Sequence, residues 1–252
     1  MDGQPIIECQ ELTKIYGNQV AVDHLNLTIN EGEVFGFLGP NGAGKTTTLL
    51  MLLGLSEPSS GSARVCGFNP AREPLKVKRI VGYLPENVGF YDDMNALQNL
   101  QYLSRLNGIP DAAALPMIEN LLDIVELKAE RNKKVGDYSR GMRQRLGIAE
   151  VLIKEPRVVF LDEPTLGLDP DGTTRMLDLI ASLSREKNIS VFLSSHLLDE
   201  VQKISHRVGI MIRGKLVAVG RIDDLAEEKF GVGEESYTLE EIYMKYFKEG
   251  QK

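Results

Sequence analysis

Cysteine is scarce. Cys9 and Cys66 are the only two in 252 residues, and no Cys-x-x-Cys pair is present. That excludes a disulfide-stapled scaffold and a zinc finger, and it fits two inert thiols in a reducing compartment. Long apolar runs are also missing. The greasiest stretch, Leu49 to Leu55, falls far short of the ~20 residues that span a bilayer. The start, Met1-Asp2-Gly3-Gln4-Pro5, has neither the basic region nor the apolar run of a signal peptide. A role at a membrane is therefore expected to need another polypeptide. Positive charge is in deficit: 29 Lys and Arg face 36 Asp and Glu, for a net charge of −7. That argues against nucleic-acid binding by bulk electrostatics, and no nucleic acid is expected as partner. Repeats and low-complexity segments are absent as well.

What remains is an ordinary globular composition, 42% hydrophobic and 26% charged, at a length that suits one large domain or a core with a smaller subdomain. Residues 5–35 alternate and carry turn residues, as in Leu25-Asn26-Leu27-Thr28-Ile29, and read as an antiparallel start. Val34 to Leu38 is a short apolar strand, and Thr46 to Leu55 a helix ending near Gly54. Segment 86–156 has helical periodicity, for example Ile118, Leu121, Leu122 and Val125, and predicts a helical subdomain. Strand–helix alternation follows: Val158–Leu161 with Gly172–Arg185, then Ser190–Leu193 with Leu197–Ser205. Such alternation predicts an α/β fold with a mostly parallel sheet, whose ligands bind beyond the carboxyl ends of the strands. The division expected is a main domain over 1–220 and an extension over 221–252. In that extension Thr238-Leu239-Glu240-Glu241 is a capping box. Leu239, Ile242, Tyr243, Tyr246 and Phe247 follow at helical spacing, for packing on the core or docking of a partner.

Gly39-Pro40-Asn41-Gly42-Ala43-Gly44-Lys45-Thr46 matches G-x-x-x-x-G-K-[ST] at every fixed position. Glycines let the backbone curl so that its N–H groups converge on phosphate oxygens, and the helix that follows adds its positive N-terminus. Lys45 should reach the β- and γ-phosphates, and the Thr46 hydroxyl should bind magnesium. A dinucleotide fold would want G-x-G-x-x-G, and Thr47 stands where its last glycine belongs. The fold expected is thus a P-loop NTPase core, with ATP and Mg²⁺ as its cofactors.

Val158-Val159-Phe160-Leu161-Asp162-Glu163-Pro164 is an apolar strand ending in two acids. Acids there are costly unless they serve a cation or a reaction. Asp162 is expected to hold magnesium and Glu163 to deprotonate the attacking water. Next, Tyr138-Ser139-Arg140-Gly141-Met142-Arg143-Gln144-Arg145 opens a helix. Alone, Ser139 is an ordinary N-cap. With a glycine and three arginines it also reads as a second anion-binding terminus.

Together these residues make the chain resemble the nucleotide-binding subunit of an ATP-binding cassette (ABC) transporter over about residues 6–220. Ser139-Arg140-Gly141-Met142 stands where that family has its Leu-Ser-Gly-Gly-Gln signature, with Arg140 in place of a glycine and Met142 in place of the glutamine. The resemblance implies that Ser139, Gly141 and Met142 meet ATP held by a second copy, two cassettes enclosing two ATPs. It also implies that Tyr16 stacks on adenine, that Leu166-Gly167-Leu168-Asp169 meets the partner cassette, and that His196 lies at the γ-phosphate. Gly39 through Thr47 would enclose the phosphates. Glu86 stands where the family usually has a glutamine; a glutamate can still bind magnesium but donates no hydrogen bond. Tyr83-Leu84-Pro85-Glu86 and the Thr238–Tyr243 tail look like cassettes of ABC-2-type exporters. Integral membrane subunits would then be partners, docked on segment 86–110 near Glu86, where the apolar Val88, Phe90 and Tyr91 are either contact or core. The chain would sit peripherally on the cytoplasmic face of the membrane and drive export.

Other readings fare worse. Soluble ABC-type ATPases of DNA repair or translation usually carry long coiled-coil insertions or two cassettes, and this chain has neither. A GTPase would read guanine with Asn-Lys-x-Asp, and the nearest approach, Asn132-Lys133-Lys134-Val135, lacks the aspartate. A regulatory cassette without turnover would not be expected to keep Lys45, Asp162, Glu163 and His196 together. His24 and His206 have no such context.

Overall fold

The computed structural model describes residues 4–231 and 237–249; the first three residues and parts of the 221–252 extension lie outside them. Two long strands open the chain, β1 (Pro5–Tyr16) and β2 (Gln19–Asn30). They pair antiparallel, and β4 (Ser60–Val65) adds to the other edge of β1 to make a three-stranded sheet. This is the antiparallel start that the alternation predicts.

The larger sheet has six strands in the order β5-β6-β7-β3-β8-β9. They are β3 (Val34–Leu38), β5 (Val81–Leu84), β6 (Val158–Asp162), β7 (Ser190–Ser195), β8 (Arg207–Ile212) and β9 (Lys215–Gly220). All neighbours pair in parallel except β8 with β9, which form a hairpin. The apolar runs of β3, β6 and β7 are buried on both faces, as parallel strands between helices must be. Side chains alternate between the faces. Phe35, Phe37, Phe160 and Phe192 face the first sheet and pack with α1 (Lys45–Leu52) and α2 (Pro74–Ile80). Val34, Leu38, Val159, Leu161, Val191 and Leu193 face the opposite core.

That second core is closed by α3 (Ala96–Leu106), α4 (Asp111–Ile124), α5 (Arg140–Leu152), α6 (Pro170–Lys187), α7 (Leu198–Ile204), α8 (Ile222–Phe230) and α9 (Leu239–Glu249). The helices α3 to α5 fall within the helical segment expected from periodicity. Helix α1 spans Lys45–Leu52, one residue earlier at its start and three shorter at its end than the sequence expectation. Ser139 caps α5, accepting from Met142 N at 3.3 Å. Asp169 caps α6 ahead of Pro170.

Candidate active site

The strand order sets β7 between β6 and β3. Asp162 pairs with Ser194, and Leu38 with Ser195. The turns that begin at Gly39, Glu163 and His196 therefore leave three adjacent strands at nearly the same level. The chain's phosphate-loop residues, its paired acids and its histidine meet at one rim for this reason.

Gly42 and Gly44 both take left-handed backbone angles, φ 78° and 105°. Open space surrounds the Cβ position of Gly42, whereas a Cβ on Gly44 would lie 2.3 Å from the carbonyl of Ala21 on β2. Gly42 is thus required by conformation and Gly44 also by close approach. The loop is propped from the β8–β9 turn: Gly214 N donates to Ala43 O at 2.9 Å, and Gly214 O accepts from Asp23 N at 2.8 Å.

Lys45 opens α1 with its side chain only 6% exposed. Its Nζ donates to Gly39 O at 2.7 Å and lies 3.6 Å from Glu163 Oε1. The Thr46 hydroxyl donates to Asp162 Oδ2 at 3.1 Å. Burial pushes the Asp162 carboxyl above its ordinary range; the Thr46 hydrogen bond and the Lys45 charge oppose that, and the Glu163 charge adds to it.

Glu163 has φ 50°, the left-handed region for a residue with a side chain, a strain of about 1–3 kcal/mol. Its backbone N–H donates to Ser194 O at 2.9 Å. Its carboxylate is shared. Oε1 faces Lys45, while Oε2 lies 2.9 Å from His196 Nδ1 and accepts from the His196 backbone N–H at 3.4 Å. The imidazole is 37% exposed, which leaves its second nitrogen within reach of an incoming group.

These groups border a cavity of about 290 Å³ lined by Tyr16, Pro40 through Thr47, Glu86, Asp162 and Glu163, with Gln19 and Ala21. Gly39 holds Lys45 from behind, and His196 touches Glu163. Tyr16 stands half exposed at the end of β1. Ser139, Gly141 and Met142 lie elsewhere. They line a second cavity of about 450 Å³ with Arg140, Gly167 and Asp169. Arg140 packs so closely on Gly167 that a Cβ there would stand 3.0 Å from its Cζ. One chain does not bring these residues to its own phosphate loop.

Sequence reasoning did not find Gln19 or Ala21, which carry no chemical signal. It also missed Gln144, a buried side chain of α5 whose amide donates to Glu86 O at 3.1 Å. His206 is structural, with Nδ1 accepting from Val34 N at 3.0 Å.

The donors fit a magnesium–nucleotide. Among the described residues no group of three or more His, Cys, Asp or Glu could hold a metal ion. The cavity instead offers the Thr46 hydroxyl and the carboxylates of Asp162 and Glu86. Magnesium binds through one or two carboxylates, completing its octahedron with waters and substrate phosphates.

Residues 22–166 match the ABC transporter family, more than half of the chain. The chain belongs to the ABC transporter family. A bacitracin transport ATP-binding protein, BcrA of Bacillus licheniformis, is 46% identical over 212 residues, 84% of this chain and 68% of that one. The Nod factor export ATP-binding protein I of Cupriavidus metallidurans is 35% identical over 226 residues, 90% of this chain and 74% of that one. A solved structure of an ATP-binding subunit of an ABC transporter superposes with a TM-score of 0.84 at 26% identity, covering 96% of this chain and 99% of that one. This ABC protein is thus an ATP-binding subunit homologous to the ABC-2-type exporter ATPases. Among its described residues, no helix is long and apolar enough to cross a membrane.

Proposed function

We propose that this ABC subunit hydrolyses ATP as a pair of cassettes and so drives export through separate membrane subunits. The observation that carries the reading is the Glu163 carboxylate, shared between a buried lysine and a histidine at the rim of a glycine-lined cavity. Lys45 leaves the Gly39 carbonyl for the β- and γ-phosphates. Thr46 and Asp162, with Glu86, would hold magnesium, which would neutralise phosphate charge. Glu163 takes the proton of the attacking water, and His196 orients Glu163 through Nδ1 while its other face meets the γ-phosphate. Tyr16 offers its exposed ring to adenine. Catalysis is positioning and charge stabilisation.

The separate cavity at Ser139, Gly141 and Met142 supports the paired arrangement, because those groups do not line the cavity around Lys45 and would meet a nucleotide held by a second copy. A dimeric ATP-binding cassette with ADP and phosphate is known for a protein of this fold. Membrane subunits would meet the edge near Tyr91 and Tyr102, exposed rings packed edge to face with centroids 5.2 Å apart. The chain would then lie on the cytoplasmic face of the membrane. Export of Nod factor, in the name of one relative, favours export as the direction.

Size-exclusion chromatography of Glu163→Gln tests the reading. With magnesium and ATP the variant should accumulate as a dimer, and turnover should fall by about 10²–10⁴, the contribution of a positioned base. A variant that stays monomeric at saturating ATP would refute the paired cycle.

A further inference from the structure

A second bridge joins the segments that follow β6 and β7. Two residues beyond Glu163, the side chain of Thr165 is buried, and its hydroxyl donates to Glu200 Oε2 on α7. Thr165 anchors the turn toward α6. Glu163 O accepts from Leu166 N, and Thr165 O from Leu168 N, both at 3.1 Å. Glu200 lies four residues beyond His196, in the first turn of α7. The bridges Glu163–His196 and Thr165–Glu200 thus close a ring between the two segments.

The backbone already ties the two segments where Glu163 N–H donates to Ser194 O. Beyond that tie, the two side-chain bridges, spaced by two residues on one segment and four on the other, fix the turn against α7. The acceptor is a carboxylate, and hydrogen bonds to ionised groups are about twice as strong as neutral ones. The helix that carries Glu200 has seven residues, too few to hold its shape without tertiary support. It is seated against the sheet at a glycine: a Cβ on Gly36 of β3 would lie 2.3 Å from Val201 Cγ1.

We propose that Glu200 is a positioning residue for hydrolysis. By accepting the Thr165 hydroxyl it locks α7 against the Glu163 turn and holds His196 at its 2.9 Å contact with the Glu163 carboxylate. The inference rests on the assignment of Glu163 and His196 to the reaction. It assigns no substrate contact to Glu200 or Thr165.

The test is steady-state ATP hydrolysis by the full chain carrying Thr165→Val, Thr165→Ser, Glu200→Ala, Glu200→Gln and the double change Thr165→Val/Glu200→Ala. Thr165→Val keeps the shape and removes the donor; Thr165→Ser keeps the donor. Thr165→Val and Glu200→Ala should lower kcat by about 10- to 100-fold, the scale of a displaced reacting group. The KM for ATP should stay within about two-fold in both, because the phosphate loop is untouched. Thr165→Ser should restore most of the rate, and Glu200→Gln, which still accepts, should lose less than Glu200→Ala. The double variant should be no slower than the worse single one. Unchanged kcat in Thr165→Val, a rise in KM instead, or multiplied losses in the double variant would overturn the proposal. If Glu200→Ala fails to fold, the Thr165 pair decides alone. Glu163→Gln, assayed alongside, separates the two layers. Wild-type turnover there sinks the catalytic assignment itself. An inactive Glu163→Gln beside a fully active Thr165→Val sinks only the clasp.

Discussion

Asp162 shows how a single residue trades stability for chemistry. Its carboxyl is held above the ordinary range by burial. A carboxyl with a raised folded value binds its proton more tightly folded than unfolded. Stability therefore falls as pH rises between the two values, and above both the full cost is carried. Asp162→Asn should raise the thermal midpoint of the nucleotide-free protein at neutral pH, at about 2–4 °C per kcal/mol recovered. The advantage should vanish as the pH drops below the ordinary carboxylate range. The same variant should lose magnesium-dependent hydrolysis. Differential scanning calorimetry across pH, with a phosphate-release assay, checks both halves. At this scale the sequence was informative wherever chemistry forces a residue type. The motifs singled out Lys45, Thr46, Asp162 and Glu163, and the structure brings all four to one cavity. The left-handed backbone of Glu163 was not legible, since nothing in Asp-Glu-Pro announces it. Nor was Gln144, whose partner lies 58 residues away in the chain.

Among the elements, β3 and α7 pack closely at Gly36. Gly36 is extended within a strand, so its role is space and not conformation. Gly36→Ala places a methyl 2.3 Å from Val201 Cγ1. Overpacking of that kind costs about 1–3 kcal/mol, read as a lower urea midpoint. Turnover should fall further than stability alone explains, because α7 follows His196 and carries Glu200. Val201→Ala in the same chain should recover part of both, since Ser205 Oγ would still stand 2.9 Å from the added methyl. The apolar strands β3, β6 and β7 were readable because burial on both faces leaves continuous hydrophobic runs. The strand β4, Ser60-Gly61-Ser62-Ala63-Arg64-Val65, was not read as one. It lies at a sheet edge, half its residues are polar, and its pairing with β1 is long-range. The hairpin β8–β9 also escaped notice, since strand–helix alternation ends at α7 and gives no hint of a reversal.

Across the molecule, the terminal helix closes the core. Leu239, Ile242 and Tyr246 are buried, and Leu239 N donates to Gln202 Oε1 of α7 at 2.8 Å. Of the two roles open to that amphipathic pattern, packing on the core is the one observed, with the capping box formed as Thr238 N to Glu241 Oε2 at 2.8 Å. Ile242→Asp would bury an unpaired charge or release the helix, a loss of several kcal/mol. The thermal midpoint should drop, and because α9 backs α7, kcat should fall while ATP binding in the cradle persists. Fluorescent-nucleotide titration beside turnover measures the split. The division of the candidate site between two cavities could be expected only from the resemblance to cassettes. Motif spacing places residues along a chain, and the distance between Ser139 and the phosphate loop emerges only after folding.

The backbone of Gly214 bonds both the phosphate loop, donating to Ala43 O, and the first sheet, accepting from Asp23 N. It behaves as a built-in gauge. The amide protons of Gly214 and Asp23 should exchange with deuterated solvent as a correlated pair, and both should slow when the cradle fills. Occupancy of the cavity should thus be readable on the unlabelled protein, from a turn that does not line it.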